Sequence, residues 1–239
     1  MTSEELVAAC IRRAGSGDAA LNAWAYTEAS EVLEGARSMD RFRKSGRPLG
    51  ALHGLPVALS DLIDVRGMPT GNGTSIDADR RPVRESWMAG RLKSAGAVIA
   101  GKAATSECGA GAPAATRNPR DESRSAGSAA AGCAAAVAAG MVPLAVAVDA
   151  SASVIQSASW CGVIGFRPTF GTIPRTGTLP TAPSVASVGV VARTIPDAAL
   201  LGDVLAGYDP DDSDSQPIPG PRLVDTALAK PPVTPTSRS

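Results

Sequence analysis

The side chains best suited to nucleophilic chemistry lie in one short segment, D-A-S-A-S, from Asp149 to Ser153. A serine hydroxyl attacks a carbonyl group only when a nearby base takes its proton. Lysine has an ordinary pKa near ~10.4, so it serves as that base only where burial lowers its pKa. Any chemistry at this segment therefore depends on which ionisable side chain the fold brings to it.

Few side chains in the chain are candidates for this base. The single histidine, His53, lies in a turn before an apolar strand, and one such residue does not indicate a Ser-His-Asp triad. Among the four lysines, Lys102 lies in A-G-K-A-A-T-S-E. We interpret it as structural, with a recruited catalytic role as the alternative.

The four cysteines are Cys10, Cys108, Cys133 and Cys161. Their spacing fits no metal motif, and we predict neither a metal nor a cofactor. Cys133 stands at the entry to an Ala-rich helix, where a helix N-terminus lowers the pKa of a thiol. We expect it to be a small buried residue, with a reactive thiol as the alternative. Unpaired cysteines are typical of a reducing cytoplasm, which is where we expect the protein.

The composition is that of a globular protein, and the length is enough for one sizeable core or two small ones, since 44% of its 239 residues are hydrophobic. Basic and acidic residues number 23 each and aromatic residues make up 3%, so we predict no nucleic-acid binding. The N-terminus, M-T-S-E-E-L, does not have the pattern of a signal peptide. Pro143 and Asp149 interrupt the longest apolar stretch. This favours a buried helix and strand over a membrane span.

Strands and helices alternate along the sequence, which predicts an α/β fold around a central sheet. Helices are predicted over 3–14, 27–45, 84–94, 132–139, 151–160 and 196–206, and strands over 55–59, 97–100, 142–148 and 188–192. After Gly207 the sequence becomes rich in proline and contains D-P-D-D-S-D-S. We therefore predict a core domain over 1–208 and a tail over 209–239, either disordered or a loose strap.

The segment from Arg124 to Thr169 resembles the amidase signature family, the serine amide hydrolases that include the glutaminase subunit of tRNA amidotransferases. Family members read G-G-S-S-G-G-S, then an Ala-rich helix, P-L-A-x-G-x-D-x-G-G-S-I-R and C-G-x-x-G-x-K-P-T. This chain reads A-G-S-A-A-A-G-C, P-L-A-V-A-V-D-A-S-A-S-V-I and C-G-V-I-G-F-R-P-T. The resemblance covers residues 2–212 and implies a mixed central sheet flanked by helices. Family members are about twice as long, so it also implies that the family's C-terminal half is lacking.

The resemblance also assigns the catalytic positions. The family uses a nucleophilic serine, a second serine that relays the proton and a lysine base. Ser153 matches the nucleophile, Ala129 matches the relay serine, and Ser60 matches the lysine. General base catalysis contributes about 10²–10⁴ in rate. The resemblance therefore implies a protein that has lost both groups that activate its nucleophile.

The turn before the nucleophile has changed as well. The family's two glycines there are Ser151 and Ala152, and a position that needs positive φ tolerates such residues poorly. The family arginine that pairs with the aspartate is Ile155 here, so we expect Asp149 to lose its partner. The candidate binding residues are Asp149, Ala150, Ser151, Ala152 and Cys133.

We predict from these losses a degenerate family member that acts as a non-hydrolytic accessory or binding subunit. An unfinished sheet edge and exposed apolar patches would favour a homo- or hetero-oligomer, including one with another enzyme subunit. The ligand expected in the ancestral pocket is a small amide or carboxylate.

Two alternatives stay open from the sequence. The first is a diverged amide hydrolase or acyl transferase in which Ser153, Ser151 or Cys133 is the nucleophile. Asp149, Asp61 or a residue of a partner would then assist it. The second is a relic that folds poorly and has no role; a cooperative thermal transition would contradict it.

Overall fold

The computed structural model describes residues 1–217, 220 and 222–229. The strands are β1 (Trp24–Tyr26), β2 (Pro56–Ser60), β3 (Val98–Ala103), β4 (Arg117–Asn118), β5 (Asp121–Ser125), β6 (Leu144–Asp149), β7 (Ile164–Phe166) and β8 (Ser187–Ala192). The helices are α1 (Ser3–Leu21), α2 (Ala29–Lys44), α3 (Trp87–Ser94), α4 (Ala131–Ala138), α5 (Ser153–Cys161), α6 (Ile195–Leu205) and α7 (Leu223–Leu228).

The central sheet has six strands in the order β1-β3-β2-β6-β8-β7, and β4 and β5 form a separate hairpin. Strand β2 is parallel to both β3 and β6, whereas β8 is antiparallel to β6 and β7 is antiparallel to β8. Every residue of β2, β3, β6 and β8 is buried, as expected for strands that are covered on both faces. The predicted α/β fold with a mixed central sheet flanked by helices is confirmed.

Two apolar clusters cover the two faces of this sheet. Successive side chains of a strand point to opposite faces, so Ala58 joins one cluster while Val57 and Leu59 join the other. The first cluster contains buried side chains of α1, α2, α4 and α5, and the second those of α3 and α6. The helices that begin near the nucleophile position, α4 and α5, therefore lie on the same face.

The ends of several elements differ from the prediction. Helix α1 begins at its Thr2 capping box as expected but continues to Leu21, past the predicted end at 14. It stops at Asn22, whose left-handed conformation directs its N–H to the Asp18 carbonyl. Strands β1, β4, β5 and β7 were not predicted, because β1, β4 and β7 have only two or three residues and β5 has no apolar residue to mark it. Within the described residues, no helix is both long and apolar enough to cross a bilayer.

Part of the predicted tail contacts the core. Arg175 forms ion pairs with Asp212 and Asp214, and its backbone N–H donates to Asp212 Oδ2 at 2.6 Å. Further along, Asp203 accepts hydrogen bonds from the first two backbone N–H groups of α7. These contacts attach a strap-like segment to the core, while residues 230–239 of the predicted tail lie outside the described residues. The domain boundary at 208 stays a prediction.

Candidate active site

The three positions matched to the family's catalytic groups come from neighbouring elements. Ser60 ends β2, which pairs with β6, and Asp149 ends β6. A short turn then leads into α5, which begins at Ser153. Ala129 lies just before α4, which contacts both β2 and β6. The fold therefore retains the scaffold that the resemblance implied.

Ser153 is sealed inside the protein. Its residue exposure is 0%, and its hydroxyl lies 3.4 Å from Asp149 Oδ1. The same carboxylate oxygen accepts the Ser153 backbone N–H at the much shorter distance of 2.7 Å. A general base acts from about 2.6–3.2 Å. No lysine or histidine hydrogen-bonds to Ser153 among the residues that the structure describes.

The side chains at the other two positions do not connect to this hydroxyl. The Ser60 hydroxyl accepts the Leu62 backbone N–H at 3.4 Å, a contact within its own turn. Ala129 is 2% exposed, and its carbonyl accepts a hydrogen bond from the Thr105 hydroxyl. The resemblance predicts the family's lysine and relay hydroxyl at these two positions, and the structure has small buried residues there.

The turn between β6 and α5 keeps a glycine-like shape without glycine. Ala152 adopts φ +60° and ψ +24°, the left-handed region that costs an L-residue roughly 1–2 kcal/mol. Ala152 and Ser151 are both exposed, so the strain lies in the backbone and not in side-chain packing. The turn therefore has the left-handed residue that the resemblance led us to expect, at a cost in stability.

Asp149 has a positively charged neighbour, Arg167. This corrects the expectation that Asp149 loses its partner. The guanidinium of Arg167, which follows β7, places Nε 4.0 Å from Asp149 Oδ2. That distance is too long for a hydrogen bond, and Oδ2 has no other hydrogen-bond partner among the described residues. Arg167 instead donates to the Val185 carbonyl at 2.6 Å. The sequence did not indicate this pair, because 18 residues separate its members.

Lys102 belongs to a different buried cluster. Its ammonium donates to the Thr70 hydroxyl at 2.7 Å and lies 3.4 Å from Asp61 Oδ1. Burial lowers the pKa of Lys102 to about 8, although the nearby Asp61 carboxylate opposes that shift. Asp61 also accepts the backbone N–H groups of Gly71 and Gly73. Lys102 and Asp61 therefore contact each other, and neither hydrogen-bonds to the Ser153 hydroxyl.

The structure supports the expectation that Cys133 is a small buried residue and gives no support to a reactive thiol there. Cys133 is fully buried, and its thiol lies 3.5 Å from the Val146 carbonyl. Burial raises the pKa of Cys133 to about 12, although the nearby Lys102 charge opposes the shift, and this favours the neutral thiol. Cys161 is buried likewise, and its pKa is raised to about 11. Cys108 is the one partly exposed thiol of the four.

A cleft of about 570 Å³ opens above the turn. Its lining residues include Ala150 and Ser151, together with Cys108 and Thr181 from two facing loops. Ser153 is absent from the lining, since it lies beneath the turn. In the described part of the chain, no group of three or more His, Cys, Asp or Glu residues is arranged to hold a metal ion. The lining is mostly apolar, and Ser151 and Thr181 are its two hydroxyl-bearing residues.

Comparison with known proteins agrees with this scaffold. The family model described as Amidase matches residues 5–234. A glutamyl-tRNA(Gln) amidotransferase subunit from Chloroflexus aurantiacus is 37% identical over 227 residues, which cover 92% of this chain and 47% of the relative. The corresponding protein of Moorella thermoacetica is 38% identical over 227 residues, with 92% and 47% of the two chains covered.

Solved structures lead to the same conclusion. Native peptide amidase from Stenotrophomonas maltophilia is 30% identical, with a TM-score of 0.87 over 95% of this chain and 49% of its own. A chain from a vestigial protein complex, connected with the origins of an s-triazine catabolic enzyme, is 33% identical with a TM-score of 0.90. That match covers 95% of this chain and 51% of the other. The chain spans about half the length of the relatives it matches, and it belongs to the amidase family.

Proposed function

We propose that this chain is a non-hydrolytic member of the amidase family that acts as an accessory or binding subunit. The observation that carries this proposal is the state of Ser153, which is fully buried and has only a distant carboxylate near its hydroxyl. A nucleophile that a substrate cannot reach, and whose hydroxyl donates only a long hydrogen bond of 3.4 Å to Asp149 Oδ1, does not support acyl transfer.

The magnitude of the loss supports the same function. Removal of the activating members of a serine hydrolase costs on the order of 10⁶ in rate, with roughly 10³–10⁴ left from the oxyanion hole and binding. Ala152 keeps this turn in a left-handed conformation, and we propose that backbone N–H groups of the turn bind the ligand. What remains is a scaffold better suited to binding than to hydrolysis.

The cleft above the turn is the proposed ligand site. Its volume of about 570 Å³ lies within the usual range of roughly 300–1,000 Å³ for small-molecule pockets. Backbone amides and the Ser151 hydroxyl are suited to a small amide or carboxylate. All four cysteines are unpaired, which supports function in a reducing compartment such as the cytoplasm.

The second candidate function is a diverged amide hydrolase or acyl transferase that uses Ser153 with Asp149 as base. The contact of 3.4 Å between the two side chains favours it. A carboxylate is a weaker base toward a serine hydroxyl than the neutral amine of a lysine. Hydrolysis would also require the turn to move, because Ser153 is covered.

Labelling with a fluorophosphonate and hydrolysis of simple amides distinguish the two functions. We expect no adduct on Ser153 and no hydrolysis that Ser153→Ala abolishes, while the Stenotrophomonas peptide amidase serves as the positive control. Ser151→Ala is the matched variant for labelling at an exposed hydroxyl of the same turn. A stoichiometric adduct on Ser153, together with turnover that disappears in Ser153→Ala, would refute the non-hydrolytic function.

Ligand binding is tested separately. Acetamide and acetate, titrated by calorimetry or NMR, should bind the native chain and not Ser151→Trp, because a bulky side chain at Ser151 fills the cleft. Ser159→Trp changes an exposed serine of α5 outside the cleft and should leave binding unchanged. Equal binding by both variants would place the ligand elsewhere.

A further inference from the structure

One wall of the ligand cleft is a loop, residues 179–186, which we call the wall loop. Its residues 179–182 line the cleft. We propose that Arg175 is a positioning residue that holds the wall loop closed and connects it to the strap, residues 209–216, so that the strap controls access to the cleft. The inference rests on the ligand site proposed above and names a way in which that site is regulated.

Arg175 donates two hydrogen bonds to the far end of the wall loop. Its Nη1 lies 2.7 Å from the Pro183 carbonyl oxygen and 3.0 Å from the Ala186 carbonyl oxygen. The guanidinium also lies over the Phe170 ring, with Cζ 4.8 Å from the ring centroid, and the side chain is only 16% exposed. Hydrogen bonds from a charged donor are stronger than neutral ones, so these contacts fix the end of the loop.

A turn joins this end of the wall loop to the part that lines the cleft. The Ala182 carbonyl accepts the backbone N–H groups of Val185 and Ala186, the second at 2.7 Å. Thr181 precedes the turn and lines the cleft, and its buried hydroxyl has no hydrogen-bond partner among the described residues. Displacement of the loop would therefore alter a side of the cleft that has an unused hydroxyl.

The strap neutralises the charge of Arg175. Asp214 forms an ion pair with its Nη2. Asp212 Oδ2 lies 3.9 Å from Nε and accepts the Arg175 backbone N–H at 2.6 Å. Without these carboxylates the guanidinium would be desolvated and uncompensated, so it should turn to solvent and release the two carbonyl groups of the wall loop.

Local contacts order the strap beside the guanidinium. The Asp209 backbone N–H donates to Ser215 Oγ at 2.9 Å, and both residues are buried. The Gln216 backbone N–H donates to the Gly171 carbonyl. A Cβ atom at Gly171 would lie 2.4 Å from the Asp214 carbonyl oxygen, and φ there is +79°, so this close approach requires glycine.

A second arginine, Arg167, contacts the same loop without contacting the strap. It donates to the Val185 carbonyl at 2.6 Å, and its nearest carboxylate in the described structure is that of Asp149. The strap therefore reaches the wall loop through Arg175. This difference separates an effect of the strap from a general loosening of the loop.

Cys108 reports the state of the cleft, because it lines the cleft together with the wall loop and is partly exposed. The test compares the rate at which iodoacetamide, a neutral reagent, alkylates Cys108 in the 239-residue chain and its variants. Arg175→Met should raise the rate by about tenfold or more, because it removes both hydrogen bonds to the wall loop. Asp214→Asn should raise it about two- to fivefold, since it removes one partly exposed ion pair.

Amide hydrogen exchange gives a second measurement that does not depend on the thiol. Exchange at Thr181, Val185 and Ala186, whose N–H groups are hydrogen-bonded, should quicken in the same order of variants. Arg175→Lys keeps the charge without the planar fork and should give an intermediate rate of both processes. It serves as the second variant if Arg175→Met has no cooperative urea transition.

Arg91→Met is the matched control. Arg91 also donates to a carbonyl, that of Val204 at 3.0 Å, and also lies over an aromatic ring, that of Trp87 at 5.7 Å. It lies outside the cleft. This variant should therefore leave the alkylation of Cys108 and the exchange of the wall loop unchanged.

A double variant tests the connection to the strap. Arg175→Met combined with Asp214→Asn should be alkylated at the rate of Arg175→Met alone, because the strap acts through that arginine. The affinity for acetamide should fall in the variants in the order in which alkylation rises. If acetamide does not bind the native chain, the proposed ligand site fails, while alkylation and exchange still decide the role of Arg175.

Three outcomes contradict the proposal. The first is unchanged alkylation and exchange in both Arg175→Met and Arg175→Lys. The second is an equal change in Arg91→Met, which would indicate a general loss of stability. The third is an undiminished effect of Asp214→Asn in the Arg175→Met background, or no effect of Asp214→Asn in the native background, since either result would disconnect the strap from the wall loop.

Discussion

Replacement of Ala152 by glycine tests whether the turn above the buried serine stores backbone strain. Ala152 adopts φ +60° and ψ +24°, and it is the N-cap of α5 without a side-chain cap. The residue is exposed, so removal of its methyl group opens no cavity. The effect of the substitution therefore reports the backbone conformation.

The expected magnitude follows from two opposing contributions. Relief of the left-handed conformation gains roughly 1–2 kcal/mol. Glycine gives the unfolded chain more freedom, which costs roughly 0.4–1 kcal/mol. We therefore expect Ala152→Gly to raise the free energy of unfolding by about 0.5–1 kcal/mol. In a chain of this length, such a gain raises Tm by about 1–4 °C.

Urea denaturation followed by circular dichroism measures this change. The midpoint should rise while the slope stays the same, because the surface exposed on unfolding does not change. Ala19→Gly provides the control, since Ala19 is exposed within α1 and has ordinary helical geometry. Glycine there should lower the free energy of unfolding by roughly 0.5–1 kcal/mol.

The two substitutions are expected to change the free energy of unfolding in opposite directions, which makes the test decisive. If Ala152→Gly destabilises the protein as much as Ala19→Gly does, the turn has no left-handed residue at Ala152. The retained turn geometry, which supports the ligand site in the cleft, would then have to be abandoned.

Two further predictions concern buried ionisable groups. Burial lowers the pKa of Lys102 from 10.5 to about 8, so the unfolded chain binds the lysine proton more tightly than the folded chain does. The stability lost to this buried ammonium below pH ~8 should therefore return as pH rises from ~8 to ~10.5, by on the order of 3 kcal/mol. Urea titrations of the native chain and Lys102→Met isolate this contribution, because the raised thiol pKa values of Cys133 and Cys161 lower stability in both proteins above pH ~9. An identical pH dependence in the two proteins would contradict the assignment to Lys102. A thiol reagent such as dithiobis(nitrobenzoate) should label Cys108 in the native chain, and Cys133 and Cys161 only after unfolding, because both are buried. Mass spectrometry identifies the labelled residues, and labelling of Cys133 at the rate of Cys108 would show that α4 opens.

Much of the fold follows from local pattern. The apolar runs around Val57, Val98, Val146 and Val190 predicted the four buried central strands, because strands covered on both faces are apolar throughout. The Thr2 cap likewise marked the start of α1. Short edge elements such as β7 were missed, since three residues acquire strand geometry from a neighbour and not from their own preference.

The motif spacing also predicted which positions of the chain match the family's catalytic groups. A residue type is a property of the sequence alone, so the prediction that Ser60 and Ala129 replace a lysine and a serine rests on the aligned motifs and not on the coordinates. The same holds for the loss of both turn glycines, at Ser151 and Ala152.

Only the tertiary structure decided how those positions are surrounded. It covers Ser153 completely, brings Arg167 to within 4.0 Å of Asp149 and raises the pKa of Cys133 by burial. It also engages Lys102 with Thr70 and lowers its pKa. Burial, electrostatic contacts and the free edge of the sheet all depend on segments that are distant in sequence. Each is a property of the packing between elements, so no single element determines it.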